Sequence, residues 1–492
     1  MKLKLRYLIL AIILGVSLWW GLSSPRQAAS LPSDAKVIHL LNRLSFGQAP
    51  GDIQQLKSMG IEAYIQSQLS PESIAQPPQL QRQLNQLSTL QLDPVELFRE
   101  YDPKQQFKGK KPTEEERKMA GKQAQLPKQQ AVEARLLRAV TSPRQLQELM
   151  VNFWFNHFNV FAQKGLTRLW VGAYEQQAIR PLALGNFRDL LGATARHPAM
   201  LFYLDNWQNT APDSPGARGR FRGLNENYAR ELMELHTLGV DGGYTQEDVM
   251  TLAQILTGWG LDRNGERGDG SGFYFDSKRH DYSDKVFLGT PIKGSGITEV
   301  EQALDILASH KSTARHISYK LAQYFVADQP PVSLVDNLTQ RFLATDGEIS
   351  AVLETLFQSP EFWDSKYYGS KFKTPYEYVI SAVRATGTEE PNLKAISGIL
   401  NQLGMPIYGC RTPNGYQNTQ QTWLNPDAML RRVSFATSLA SGRLNKSEPV
   451  NPVQLSQTLG NNFSAHTQKV INTNSNKLHA ALILGSPEMM HK

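Results

Sequence analysis

The stretch NENYARELMELHTLGVDGGYTQEDVMTLAQILTGW, Asn225–Trp259, decides how this chain is read. It holds a helix, a glycine stop, a loop and a second helix, with an unusual density of Asn, Arg, Glu and His. Taken at about 100° per residue, Asn227, Arg230, Glu231 and Glu234 share one arc of a helix over Glu226–Leu238, with Tyr228, Leu232 and Leu235 beside it. His236 points away, towards Ala229 and Met233, so Glu231, Glu234 and His236 are not expected to bind one ion on a regular helix. Gly239 is expected to stop the helix in a left-handed conformation, and Thr245 with Asp248 to cap the next.

Two readings of the polar arc stand side by side. One is a solvent-facing stripe with Glu226–Arg230 and Arg230–Glu234 as i,i+4 pairs. The other is a buried network or ligand site, with Arg230 as a clamp and Glu231 or Glu234 as base or metal ligand. The second draws support from QLQELMVNFWFNHFNVF, Gln145–Phe161, where apolar side chains surround a helix on every side from Leu149 to Phe161. That helix is expected over Pro143–Phe161, with Ser142 as cap, Pro143 first and Gln145 closing a capping box. Asn152, Asn156 and His157 are then buried polar groups that need partners. A core histidine held by its neighbours is the commoner outcome. If both helices share a core, Asn156 and His157 converge with Arg230 and Glu231, and Asn227 joins Asn156 as a ligand-binding candidate.

Outward from these segments the periodicity predicts a mainly α fold, one large helical domain with a small β-hairpin insertion. Helices are expected near Asp34–Leu41, Asp52–Leu69, Pro94–Tyr101, Ala131–Arg138 and Thr167–Arg180, then near Gln246–Leu256, Thr298–Ala308 and Thr313–Val326. Others fall near Val332–Ala344, Ile349–Gln358, Pro375–Ala385 and Pro426–Leu439. The body spans 34–492, with 102–130 as a solvated or disordered insertion and 261–296 as the hairpin insertion. GFYFD and KVFLGTPI in the latter suggest one hairpin within 272–292. His280 and Asp281 between them are a candidate metal or acid–base pair, although loops hold many such pairs with no role. Asp262, Asn264, Glu266 and Asp269 hint at calcium, with Gly265 misplaced for an EF-hand loop. The Asn- and Ser-rich passages 440–451 and 460–477 are expected to be loops.

Residues 1–30 contain Lys2, Lys4 and Arg6 and no acid, and Tyr7–Leu22 is apolar apart from glycine and serine. A basic start, a short apolar core and the small residues Ala28, Ala29 and Ser30 make a secretory signal, or an anchor seated by Trp19 and Trp20. The expected location is exported: periplasmic, extracellular or held at the membrane by residues 7–22. The chain carries +7, and removing the four basic side chains of residues 1–30 leaves +3. The pI of 9.2 is therefore no warrant for nucleic-acid binding. The single cysteine, Cys410, excludes an intrachain disulfide and CxxC chemistry.

Several segments carry a resemblance. NFWFNHF, the Asn225–Val249 passage with its TGW ending, His280–Gly289 and ASHKSTARHISYKLAQYF (Ala308–Phe325) occur in this order. HLLNRLSFG (His39–Gly47) and LNPDAMLRR (Leu424–Arg432) frame them. Together they resemble the bacterial family known as domain of unknown function 1800, over most of the chain beyond residue 35. One departure is HKSTA at His310, where members more usually have HPSTA. The resemblance implies an exported, largely helical protein. It also implies a candidate partner, since some members are encoded beside exported proteins resembling the alkaline-phosphatase superfamily.

There is no GxSxG, HExxH, P-loop, GxGxxG or CxxCH motif. Two functions from different classes remain. One is an exported enzyme, metal-dependent in one version, acting on an envelope or extracellular polymer through His157, Arg230, Glu231, Glu234, His280 and Asp281. The other is a non-catalytic envelope scaffold or maturation partner of a phosphatase-superfamily-like protein. The sequence names no cofactor, substrate or oligomeric state.

Overall fold

Apolar residues spaced three and four apart become helices along almost the whole chain. A computed structural model describes residues 33–109 and 111–492. The basic start and apolar run of residues 1–30 lie outside them. The fold is mainly α, 60% helical with 3% strand. The helices that matter for the site are α1 (Asp34–Leu44), α2 (Leu126–Thr141), α3 (Gln145–His157), α4 (Thr167–Ala173), α5 (Asn227–Glu231) and α6 (Gln246–Ile255). They continue with α7 (Thr298–Ser309), α8 (Lys311–Phe325), α9 (Val332–Ala344), α10 (Ile349–Gln358), α11 (Pro375–Ala385), α12 (Pro426–Ala440) and α13 (Asn476–Leu484). Pairs close in sequence pack as neighbours, α2 on α4, α8 on α9, α9 on α10 and α12 on α13. One contiguous apolar core runs from Val37 to Met490, with a small satellite of Leu80, Leu84, Leu87, Leu90, Ala134 and Leu137. Among the described residues no helix is long and apolar enough to cross a membrane.

Several boundaries differ from those expected, each for a local reason. The Asp52–Leu69 segment breaks at Gly60, whose φ of +87° ends one helix and starts the next. α3 begins at Gln145 without a side-chain cap. Gln145 spends its amide elsewhere, accepting from the Phe46 N–H at 3.0 Å and donating to the Ser142 carbonyl at 2.7 Å. Segment 102–130 carries the start of α2 and two further helices, Pro103–Gln106 and Glu114–Gln123. The latter is opened by a Thr113–Glu116 capping box and largely exposed. The passage 460–477 contains a helix, Ala465–Thr473, capped by Ser464.

The helices expected at Thr167–Arg180 and Glu226–Leu238 both loosen into π-helix, over Tyr174–Ile179 and Leu232–His236. A π turn carries an extra residue and re-aims the side chains after it. Here each turn sends a polar residue inward, Glu175 and His236, both buried. Gly239 then stops the second with φ +84°, as expected.

The insertion holds two hairpins rather than one. β1 (Trp259–Leu261) pairs antiparallel with β2 (Phe273–Phe275), and β3 (Lys285–Phe287) with β4 (Thr290–Ile292). GFYFD thus pairs back to the TGW ending, while KVFLGTPI folds on itself. The turn in KVFLGTPI places Leu288 and Gly289 at φ +47° and +76°, the two positive angles a tight hairpin requires. A leucine at the first of these positions disguises the turn in the sequence.

Candidate functional site

The end of α3 is where the chain's most polar interior begins. Asn152, Asn156 and His157 leave the helix there, and α8 brings Lys320 and Tyr324. The segment before α11 brings Thr374, α11 itself brings Glu377, and the loop 405–418 supplies the outer wall. Between them lies a polar cleft of about 100 Å³, lined also by Gln323, Asn414, Tyr416 and Asn418.

His157 is buried, and its Nε2 lies 3.0 Å from the His236 carbonyl oxygen. That nitrogen therefore donates, leaving Nδ1 to accept from the Lys320 ammonium at 2.8 Å. Burial first, then the charge of Lys320 and the neighbouring His236 and His316, holds the imidazole far below its ordinary range, so it is neutral. Burial alone pulls the Lys320 amine down to about 8. The rings of His236 and His316 each lie 6.1 Å from that of His157. Their pKa values are lowered by burial and by Lys320, to about 3 and about 4.

Cations dominate the ground behind the cleft. Lys492 pairs with Glu377, and Lys371 with Asp328 at 2.6 Å while also donating to the Asn418 carbonyl. Lys373 is buried against the Ser381 hydroxyl and the Met489 carbonyl, and burial brings its amine to about 7. Arg43 and Arg432 are fully buried, each with Nε and Nη1 lacking a hydrogen-bond acceptor among the described residues. Burial lowers them to about 9 and about 10. Four cations and the Lys373 amine, part neutral near pH 7, thus accompany two side-chain carboxylates, Glu377 and Asp328. Glu377 spends its other oxygen on the Thr374 N–H and hydroxyl. The surroundings favour an anion in the cleft.

A second ionic cluster braces the cleft from beneath. Arg135 bridges Glu175 at 2.9 Å and the Asn152 side-chain oxygen at 2.8 Å. Arg180 grips Glu148 with two bonds of 2.7 and 3.0 Å. The Tyr408 hydroxyl adds a donor to Glu175 at 3.0 Å.

Of the residues singled out by sequence, the structure brings Asn152, Asn156 and His157 into this cleft and leaves the others outside its lining. Asn156 holds the loop: its Nδ2 donates to the Tyr416 carbonyl and its Oδ1 accepts the Tyr416 N–H, both at 2.8 Å. Arg230 pairs with Glu226 at 3.1 Å and Glu234 at 3.6 Å on a solvent-facing arc, and also donates to Gln246. Glu231 is half-buried beside them, its carboxyl raised by burial and by the Glu234 charge. Asn227 pins its helix start to the Leu204 carbonyl. The expected convergence of Arg230 and Glu231 with His157 is thus replaced by Lys320 and a main-chain carbonyl.

His280 is buried with both ring nitrogens engaged, Nδ1 at 2.8 Å from the Thr257 carbonyl and Nε2 at 2.8 Å from Glu299. Asp281 accepts from the Ser283 N–H and hydroxyl. The pair braces the hairpins and presents no free donor set. Asp262 takes three backbone N–H groups, of Glu266, Arg267 and Gly268, so it closes its own loop instead of holding calcium. Among the described residues no group of three or more His, Cys, Asp or Glu side chains is arranged to hold a metal ion.

A larger cavity, about 580 Å³, lies elsewhere, between α1 and the segments 459–467 and 487–491. Among its polar side chains, His39 Nε2 pairs with the Phe362 carbonyl, leaving Nδ1 without a partner among the described residues, and Glu488 turns to Ser464 and Thr467. Sequence reasoning missed Lys320, Tyr324 and Glu377. The available signal was the i,i+4 spacing of His316 and Lys320 on one helix, which puts two basic groups on the same face.

No curated protein and no solved structure matches the chain. A family model does, the one described as "Protein of unknown function (DUF1800)", over residues 39–491. With nearly the whole sequence from α1 to the C-terminal segment covered, the chain belongs to the DUF1800 family.

Proposed function

We propose that the protein is an exported enzyme that uses the Lys320 amine as a base on an acidic envelope or extracellular polymer. The observation that carries this reading is the Lys320–His157 contact of 2.8 Å, with the amine drawn to about 8 at the edge of a polar cleft. A lysine poised there is part free base near neutral pH, which is what general-base catalysis requires. A cleft of about 100 Å³ admits one functional group of a larger substrate rather than a whole sugar ring. The cationic surroundings select that group as a carboxylate or phosphate. Export rests on Lys2, Lys4, Arg6 and the apolar run Tyr7–Leu22. The reading uses no metal, since among the described residues His280 and Asp281 are not joined by a third ligand in a group that could hold one.

The test incubates the purified full chain with a panel of carboxylated and phosphorylated polymers and measures release of new chain ends. Wild type is expected to turn over at least one polymer, and Lys320→Met none. Equal turnover by both proteins would sink the reading. So would a chain inert on every polymer that binds an exported phosphatase-superfamily-like protein equally well with or without Lys320, which favours a maturation partner instead.

A further inference from the structure

Where the first hairpin meets the segment Trp207–Phe221, four arginines alternate with four aromatic rings. A cavity of about 390 Å³ opens there, sharing no lining residue with the Lys320 cleft and within the range of small-molecule sites. Arg220 lies over Trp207 at 4.7 Å, Arg263 over Phe98 at 5.3 Å and Arg267 over Tyr274 at 5.4 Å. Arg279 lies over Phe221 at 4.6 Å.

Two of these arginines are framework. Arg279 is buried, bonded to Asp276 and to the Trp207 carbonyl. Its guanidinium crosses Gly260, where a Cβ would come within 2.6 Å of Nη2. Arg267 reaches the Tyr274 hydroxyl at 3.3 Å. The other two differ: among the described residues no acceptor bonds the guanidinium of Arg220 or Arg263. Arg263 is half-buried, its pKa lowered by burial first and by the charge of Arg220 second. Three carboxylates line the cavity as well. Asp262 is consumed by its own loop, and Asp102 accepts the Lys104 N–H while its charge partly offsets the lowering at Arg263. Glu266 makes no hydrogen bond to either guanidinium among the described residues.

A guanidinium stacked on a ring keeps its N–H edge free, and that edge matches an oxyanion bidentately. Trp207 is stacked by Arg220 and by Phe202 at 5.8 Å, so the cavity offers donors beside covered rings. We infer that this cavity binds an oxyanion-bearing saccharide, with Arg220 and Arg263 clasping carboxylate or sulfate groups. The inference rests on the acidic-polymer reading only for the choice of a saccharide as the carrier. The anion site itself stands independently of Lys320.

Calorimetric titration of the full chain tests it with four probes: a tetragalacturonate, a heparin-derived tetrasaccharide, neutral maltotetraose and a poly-glutamate peptide. The two charged saccharides distinguish carboxylate from sulfate. Either or both are expected to bind, more weakly as salt is raised, and maltotetraose is not. Arg220→Ala/Arg263→Ala should weaken that binding about tenfold or more. The double variant should still unfold at the wild-type temperature and keep Lys320 reactive towards pyridoxal phosphate, so a lost fold or a failed Lys320 site is told apart from a lost anion site. Undiminished saccharide binding by a folded double variant overturns the inference. Equal binding of maltotetraose, or binding of the peptide alone, does the same.

Discussion

The Lys320 ammonium donates to Nδ1 of His157 across 2.8 Å, while Nε2 of the same ring faces the His236 carbonyl at 3.0 Å. The imidazole is thereby fixed in one tautomer, with its lone pair turned towards the amine. Burial disfavours the ammonium and this lone pair favours it, and burial prevails.

Lys320 should therefore titrate far below an ordinary lysine. Its labelling by an amine-reactive reagent, followed by mass spectrometry across pH, is expected to show a midpoint near 8. His157→Leu removes the acceptor and should move the midpoint lower still. A midpoint in the usual lysine range for the wild type would refute this account of the cleft.

Acid should destabilise the fold in a defined window. Buried His236, His39 and His197 all have folded pKa values near 3, lowered first by burial. An unfolded histidine titrates near 6.5, so below that pH the unfolded chain binds more protons than the folded one. Stability is then complete above about 6.5 and declines as pH falls towards the folded values. At pH 5 each such residue costs about 2 kcal/mol. Urea midpoints at pH 7 and pH 5 check this, and a flat profile between them counts against it.

Removing one member of the ionic cluster beneath the cleft should cost more than removing a pair. Arg135→Met leaves the buried Glu175 carboxylate with only the Tyr408 hydroxyl and a longer Arg180 contact of 3.4 Å, and it frees Asn152. The expected cost is about 2–4 kcal/mol, short of the full loss of a buried pair. Arg135→Met/Glu175→Leu should recover much of that loss. Denaturant unfolding of the three proteins decides it; a double variant weaker by the sum of its parts would contradict the argument.

Glu299 should govern the hairpin insertion. It receives His280 at 2.8 Å, Lys285 at 2.9 Å and the N–H groups of Ser295 and Gly296 at 2.8 and 2.9 Å. Burial pushes its carboxyl up, but the bonds from His280 and Lys285 outweigh that and the net shift is downward. Its stabilising contribution is present above the ordinary glutamate range and is lost as pH falls through the lowered value. Glu299→Leu is expected to expose 261–296 to limited proteolysis while the helical body survives. Unchanged cleavage would show that the hairpins hold without it.

Gly415 should tolerate no side chain. Its φ is +70°, and a Cβ would lie 2.2 Å from the Asn156 carbonyl oxygen and 2.7 Å from Oδ1. Gly415→Ala should cost about 1–3 kcal/mol from backbone strain alone and change Lys320 labelling by shifting the cleft wall. Wild-type stability and labelling would argue against this seating of the loop.

The helical architecture was legible because burial imposes a 3.6-residue period, which the helices within 298–358 and those at 375–385 and 426–440 keep closely, while the helix Leu393–Gln402 went unread. The family was legible in the order of its motifs. Less visible were features in which local chemistry departs from the regular pattern. A π turn leaves no simple periodic mark, so the inward aim of His236 and Glu175 escaped a regular-helix projection. Leu288 in a left-handed turn hid the second hairpin. In the cleft, Asn156 and His157 could be marked as buried polar groups, but their partners could not, because Lys320 and Tyr416 lie 163 and 260 residues along the chain. The polar arc of Arg230 and Glu234 proved to be the solvent-facing stripe that i,i+4 spacing describes.

The wall of the cleft is attached in an unusual manner. Asn156 grips the main chain of Tyr416, Asn159 the carbonyls of Cys410 and Thr412 at 3.1 and 2.8 Å, and the Ala162 N–H the Tyr408 carbonyl at 3.1 Å. These fasteners touch backbone atoms on the loop side. They also require the conformation of Gly415. Side-chain anchoring falls to Tyr408, which reaches Glu175, and to Met405, Ile407, Cys410 and Tyr416, which pack against the core or lie buried. The segment 405–418 therefore behaves as a cassette: Asn414, Gln417 and Asn418 can be exchanged to change which chemical group the cleft accepts, while the helices that carry Lys320 and His157 stay in place.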